Sequence, residues 1–408
     1  MEHLLLLVHR IPYPPNKGDK IRSYHLLRHL AKHYHVHLGT FIDDPNDWQY
    51  VDTVKQWCVE THFAQLSPSK AKLRSFNALI HDRALSIDYY RDTALQSWVN
   101  KVIQTRDIKR VLVFSSSMAQ YVEHALHMRR IIDFVDIDSD KWAQYAAKKL
   151  WPMRWLYQRE AKKLLQYEKK IAQEFDASLF VSEAESALFK TMAPESKHKI
   201  GFLSNGVDTD YFSPLNDYLN PYLENEVVLV FTGAMDYWPN IDAVQWFAEE
   251  IFPSIRKSIP AASFYIVGSR PTAHVHELAE MPGVRVTGTV PDVRPYLAHA
   301  RASVAPLRIA RGIQNKVLEA MAMGMCVIVS PQALEGIDAE DGRDLILAKD
   351  APSFITKTVQ LLQKENPGFG KAARQRVETL YGWTRHLSHV DALLEAHNES
   401  TLIEKDLN

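Results

Sequence analysis

Cysteine is nearly absent: the 408 residues include two, Cys58 and Cys326. They stand far apart and fit no metal-ligand spacing, so neither a disulfide framework nor a cysteine-based metal site is expected, and such sparse use suits a reducing cytosol. Charge of one sign is lacking too. The 48 Lys and Arg face 49 Asp and Glu, which removes any global field for nucleic acid and leaves only local patches to act. Long apolar runs are missing as well. Leu4 to Val8, preceded by Glu2, is too short for a signal peptide or a membrane span, so the expected location is the cytoplasm. Repeats and low-complexity tracts are not evident. What remains is the balance of a soluble enzyme, with enough chain for two domains of ordinary size.

Short apolar runs alternate with longer amphipathic segments, the pattern of parallel sheets covered by helices. The first half offers Leu4 to Val8, Val36 to Phe41, Val111 to Phe114, Ile131 to Phe134 and Ser178 to Ser182. The second half offers Val227 to Thr232, Ser263 to Gly268, Val284 to Gly288, Ala302 to Pro306, Cys326 to Ser330 and Asp344 to Ala348. Between them, Asn205-Gly206 opens a turn-rich stretch reaching Pro221. The expected architecture is therefore α/β, with an N-terminal Rossmann-like domain over 1–205 and a second over 206–382. An amphipathic helix from Trp383 to His397 is expected to cross back to the first domain, followed by a frayed tail. Two such domains create a cleft where the carboxyl ends of both sheets converge, which makes the strand-to-helix loops the places to search.

Two loops stand out. In RGIQNKVLEAMAMGMCVIVSP, Arg311 to Pro331, a glycine (Gly312) opens a helix carrying Lys316 and Glu319, and a buried strand follows. Unpaired N–H groups at a helix start, together with its dipole, attract an anion such as a diphosphate. Glu319, seven residues beyond Gly312, would sit roughly 10 Å further along, within reach of sugar hydroxyls. The other loop, RIPYPPNKGDKIR from Arg10 to Arg22, places Gly18 among Lys17, Lys20 and Arg22, cations that suit phosphate or an anionic acceptor. A solvated turn with charged flanks is the plainer reading of the same residues.

The chain resembles GT-B glycosyltransferases of family 4, and more narrowly the sugar transferases associated with PEP-CTERM/exosortase exopolysaccharide systems. The resemblance spans nearly the whole sequence: HRIPYPPNKGDKIRSYHLLRHLA at the start, DFVDIDSDKW at Asp133 to Trp142, FVSEAE at Phe180, SNGVDTDYF at Ser204, FTGAMDYWPN at Phe231, and the NKVLEAMAMG helix. It implies a retaining transferase with a nucleotide-sugar donor, UDP- or GDP-linked, and a glycan or lipid-linked acceptor. Glu319 would accept bonds from the ribose, Lys316 and the backbone near Gly312 would face the diphosphate, Gly233 would let backbone approach the phosphates, and Val290 would lie beside the base. No metal or cofactor is implied.

The sequence also departs from its relatives. Arg311 stands where they usually carry a first glutamate, and Ala234-Met235 and Pro239-Asn240 replace their diphosphate-clamping arginine and lysine. Arg308, Arg311 and Lys316 are expected to restore that charge from the opposite loop. Asp136 and Asp138, after a strand, are candidates to orient the acceptor or act as base, though capping suits acids there equally well, and Ser115 to Ser117 are weaker candidates. His25, His29 and His33 share one helix face but lack an accompanying carboxylate, so they are not read as a metal site. The segment Lys141 to Ile171, with Lys148, Lys149, Lys162 and Lys163 interleaved with aromatics, suits an anionic membrane surface or, equally, a solvated helix with its aromatics in the core. Competing readings of the whole chain are a nucleotide-sugar epimerase or phosphorylase, and a non-catalytic sugar-nucleotide-binding regulator.

Overall fold

The computed structural model describes residues 1–15, 18–147, 149–310, 313–364 and 367–396. Lys17, Lys148, Arg311 and Gly312, named above, lie outside the described residues, as does the tail from Asn398. The chain divides into two compact units, Met1–Ser204 with the segment that begins at His386, and Asn205–Arg385.

The first unit is built on a seven-stranded sheet of order β3-β2-β1-β4-β5-β6-β7, every neighbouring pair parallel. Its strands are β1 (His3–Val8), β2 (His35–Ile42), β3 (Glu60–Gln65), β4 (Arg110–Phe114), β5 (Arg129–Val135), β6 (Ala177–Phe180) and β7 (Ile200–Phe202). The second unit has a six-stranded parallel sheet of order β10-β9-β8-β11-β12-β13. Its strands are β8 (Val227–Thr232), β9 (Ala262–Val267), β10 (Val284–Gly288), β11 (Ala302–Ala305), β12 (Val327–Val329) and β13 (Ile346–Leu347). Helices cover both faces, so central strands carry unbroken apolar runs: Leu4 through Val8 and Leu229 through Phe231 are fully buried.

All eleven expected strands are present. The two that composition did not reveal, β3 and β7, are at the sheet's margins. β3, reading ETHFAQ, is half exposed and has no apolar run, and β7 is three residues long. The helix expected from Trp383 spans Trp383–Glu395 and packs on the first unit. Val390, Leu393 and Leu394 are buried there, and Arg110 and Arg129 donate to the carbonyls of Leu394 and Leu393 at 2.9 and 2.5 Å.

Each sheet reverses its strand order beside its first strand, between β1 and β4 and between β8 and β11. The connections leave in opposite directions there, opening a crevice at the strands' carboxyl ends. Beneath the first crevice lies a buried ion pair. Arg22, 1% exposed, grips Asp133 with two N–H groups at 2.6 and 3.0 Å and donates to the Leu203 carbonyl at 2.5 Å, joining the first helix (Gly18–His33), β5 and the chain after β7. Removing one member leaves an uncompensated buried charge. Arg22→Ala is expected to destabilise the first unit by about 3–5 kcal/mol in urea unfolding, and the double variant with Asp133→Ala by clearly less than the sum of the single changes.

Candidate functional site

The second unit gathers its polar groups at the β8/β11 crevice. The helix Asn315–Ala322 follows β11, and the Gln314 side chain at its N-cap does not cap its first-turn N–H groups. The sequence placed this helix start at Gly312. It begins three residues later, which sets Lys316 in the first turn and Glu319 one turn on, roughly 6 Å from the helix start rather than 10 Å. Val317, Leu318, Ala320 and Met321 are buried, leaving Lys316 and Glu319 on the helix's polar side.

Lys316 turns toward the end of β8. Its Nζ lies 4.3 Å from the Phe231 ring centroid and donates to Asn240 Oδ1. Asn240, 6% exposed near the start of the helix Trp238–Trp246, donates in turn to the Ala234 carbonyl at 2.9 Å. A side chain at 233 would displace this pair: an added Cβ would come within 2.8 Å of Asn240 Nδ2 and 3.2 Å of Lys316 Nζ. Gly268 is the strict requirement, since a Cβ there would fall 1.6 Å from the Gly233 carbonyl oxygen, a backbone atom. Gly233, Asn240 and Lys316 thus form one contact group, and Thr232 Oγ1 and Asn315 Oδ1 near it are buried without hydrogen-bond partners.

The Glu319 carboxylate accepts no hydrogen bond among the described residues; its electrostatic partner is Lys316. Desolvation dominates both groups. It pulls the Lys316 ammonium down to about 7, against the opposing pull of Glu319, and pushes the Glu319 carboxyl up to about 7, against Lys316. Val290 follows β10 and packs partly buried against the core, while Arg294 forks onto Asp292 and stacks 3.7 Å over Tyr211.

Arg308 lies elsewhere in its bonding than the sequence suggested. Its guanidinium grips Asp242 at 2.5 and 2.9 Å and sits 5.5 Å over Trp246, so its charge is neutralised internally, and a diphosphate would have to displace Asp242. It lines a cavity of about 450 Å³ with Glu250, Ser330, Gln332, Lys349 and Asp350.

In the first unit two of the loop cations, Lys20 and Arg22, are turned inward. Lys20, 2% exposed, bonds Asp47 at 2.6 Å, and Arg22 holds Asp133, so neither offers its charge to an acceptor as the sequence suggested; burial commits both to holding the loop. Gly18, exposed, opens the first helix with nothing within 4 Å of an added Cβ. Asp136 and Asp138 share Lys141 at 2.7 and 3.2 Å. Behind them the buried Glu168 accepts from Ser139, and burial lifts its carboxyl to about 8.

Sequence reasoning missed His9 and Arg10, the residues just past β1. His9 stacks on Phe114 at 5.8 Å, approaches Asp19 at 3.5 Å, and leaves a buried Nδ1 without a partner. Burial tends to raise the Asp19 carboxyl, yet the bond from His9 and the charge of Arg10 hold it far below the carboxylate range. The available signal was position, a histidine directly after the first buried strand. Around it the backbone is strained: Ser115 and Val135, at the ends of β4 and β5, adopt φ of 79° and 70°. Positive φ is rare for any residue with a side chain and rarer still for a β-branched one, and it collects at functional sites.

These observations define a chain of two Rossmann-like units of the GT-B fold class, with the richer polar site in the second. Residues 226–364 match the family model described as Glycosyl transferases group 1. No curated protein matches the sequence. Among solved structures the chain is similar to sucrose-phosphate synthase from Thermosynechococcus elongatus, at 17% identity and a TM-score of 0.65, over 96% of this chain and 98% of that one. It is also similar to HepE from Anabaena in complex with UDP (14%, 0.63, 97% and 99%) and to WaaG, a glycosyltransferase involved in lipopolysaccharide biosynthesis (14%, 0.63, 96% and 100%). At these identities the likeness establishes the fold.

An anionic ligand with vicinal hydroxyls needs Lys316 charged and Glu319 ionised together. Lys316 loses its proton above about 7 and Glu319 gains one below about 7, so binding of such a ligand should peak near neutrality and fall on both sides. UDP titrations across pH should show this bell; Lys316→Met should remove the alkaline limb, and Glu319→Gln the acid limb.

Proposed function

We propose that this protein is a glycosyltransferase that moves a sugar from a nucleotide sugar to a hydroxyl of a glycan or lipid-linked acceptor. The observation that carries the reading is the Gly233, Asn240 and Lys316 group at the β8/β11 crevice, with Glu319 one helical turn on, inside the segment that matches Glycosyl transferases group 1. Lys316 and the uncapped N–H groups near Asn315 face the diphosphate, where negative charge grows as the bond to the anomeric carbon breaks; groups already aimed there stabilise that charge without reorganising. The Glu319 carboxylate accepts from two neighbouring ribose hydroxyls. Tyr211 and Val290 lie toward the base.

In this reading the first unit recognises the acceptor. His9, half-buried with an unpaired Nδ1, orients the incoming hydroxyl. Asp136 and Asp138, tied to Lys141, shape the loop beside it. Retention of anomeric configuration, membership of family 4 and a role in exopolysaccharide synthesis rest on the resemblance in sequence. HepE, crystallised with UDP, favours a UDP-linked donor. Arg311, outside the described residues, stands where relatives carry the first glutamate and is proposed to add positive charge for the diphosphate.

A panel of UDP- and GDP-sugars, scored for binding and slow hydrolysis, tests the donor site. Glu319→Ala should weaken the best donor about 10- to 100-fold, the loss of a charge-assisted hydrogen bond. If no nucleotide sugar binds, or Glu319→Ala binds it equally, the site is refuted. Epimerised free donor would identify an epimerase, and binding without turnover a regulator.

We also propose that the acceptor is met at an anionic membrane surface. The aromatics of the basic segment divide in two: Trp142 packs against Tyr157 at 4.9 Å, whereas Leu150, Trp151 and Trp155 are 86, 83 and 56% exposed. Leu73, Phe76 and Ile80 project from neighbouring short helices, and Arg159, one turn past Trp155, donates to the Ala78 carbonyl at 3.2 Å, which brings the two exposed groups together. Exposed Lys70, Lys72, Lys149, Arg154 and Lys162 surround them, whereas Lys163 is paired with Asp82. Apolar side chains rimmed by cations suit the boundary of an anionic bilayer. None of the described helices is long and apolar enough to cross a membrane. Flotation with anionic vesicles should recover the wild type and lose most of the Ile80→Asp/Trp151→Asp variant; equal recovery would show that this surface does not meet the membrane.

A further inference from the structure

The histidine row of the first helix acquires in three dimensions what it lacks in sequence. His29 and His33, one turn apart on Gly18–His33, face the helix Trp383–Glu395, which contributes Asp391. His29 Nε2 and Asp391 Oδ2 are 2.8 Å apart, the two residues being separated by 362 positions in the chain. One ligand atom from each of His29, His33 and Asp391 lies within 4.8 Å of the others. His29 is 8% exposed and His33 is open to solvent. The second carboxylate oxygen of Asp391 is buried and has no hydrogen-bond partner, an unmet acceptor on a member of the group.

We propose that His29, His33 and Asp391 bind one zinc ion, or a similar first-row divalent metal, as a clasp between the first and last described helices of this unit. Two imidazoles and a carboxylate suit zinc, nickel or copper, whereas magnesium and calcium prefer sites made wholly of oxygen. Tetrahedral bonds of about 2.0–2.2 Å set donor atoms about 3.3 Å apart, so the exposed His33 side chain must rotate inward and the 2.8 Å His29–Asp391 contact must open slightly. The metal displaces the proton shared by His29 and Asp391, and water fills the fourth position on the open side. The clasp closes a very long loop, so its effect falls on how firmly the last helix is held, apart from the donor site.

Untagged, chelator-treated protein would be titrated with zinc by calorimetry and with cobalt(II) by visible absorption, and its melting followed with and without zinc. One zinc per chain, tetrahedral cobalt bands and a raised melting temperature are expected. His33→Ala, which leaves the His29–Asp391 contact in place, should weaken zinc binding at least tenfold while the metal-free protein melts as before; Asp391→Asn should also weaken it. Unchanged zinc affinity in His33→Ala, or binding no tighter than to the chain's other surface histidines, would overturn the proposal.

Discussion

The close approach of Gly233 to Gly268 is the contact on which the second unit's site depends. Two neighbouring parallel strands, β8 and β9, release their loops on one side of the β8/β11 reversal, and those loops touch backbone to backbone. Any side chain at 268 would strike the Gly233 carbonyl, and any at 233 would displace the Lys316 and Asn240 side chains. With both positions bare, the loop after β8 lies low enough for Asn240 to turn back and hold the ammonium of Lys316 from the helix after β11. The topology makes the crevice, and the two glycines let it be lined with charge.

That charge is held at a cost to the folded protein. A lysine beside an aromatic face and one amide oxygen is poorly compensated for the water it loses, and Glu319 is compensated less, since among the described residues no donor meets its carboxylate. Both respond as expected, each shifted toward its neutral form. A site designed for stability alone would pair the two directly or replace them by apolar groups. Their separation one turn apart, with Thr232 and Asn315 also carrying orphaned oxygens, is what an anionic, hydroxyl-rich ligand would complete.

Most of the fold was legible because parallel strands buried on both faces must be continuously apolar, and a short run such as Leu4 to Val8 between polar flanks suits little else. β3 and β7 escaped because marginal strands are covered on fewer sides and need no such run. The helix around Lys316 was legible in kind but not in start, as nothing in the order of residues distinguishes a loop at Ile313 and Gln314 from a first turn. Least legible were the partners of charges. The sequence shows Lys20 and Arg22 as a cationic loop; the fold brings Asp47 and Asp133 onto them from the next connection and from a strand more than a hundred residues on. The same blindness hid Asp391 from the histidines.

Those hidden partners change what each unit can recognise. At the first unit's crevice Arg10 is spent on Asp19 and Asp43, Lys20 on Asp47 and Arg22 on Asp133, so the described loop presents almost no free positive charge. What remains there is the half-buried His9, the half-buried Ser115, and a backbone strained at Ser115 and Val135. A neutral hydroxyl fits that surface better than an anion does. At the second unit's crevice Lys316 hydrogen-bonds an amide and lies over an aromatic ring, and Glu319, its electrostatic partner one turn on, accepts no hydrogen bond from it, so the ammonium keeps donors for a ligand near neutral pH. Since a cation hydrogen-bonded to a carboxylate gains little from a second anion, while one hydrogen-bonded to neutral groups gains more, the balance of charge supports the proposal that a phosphate-bearing substrate binds the second unit and a hydroxyl-bearing one the first.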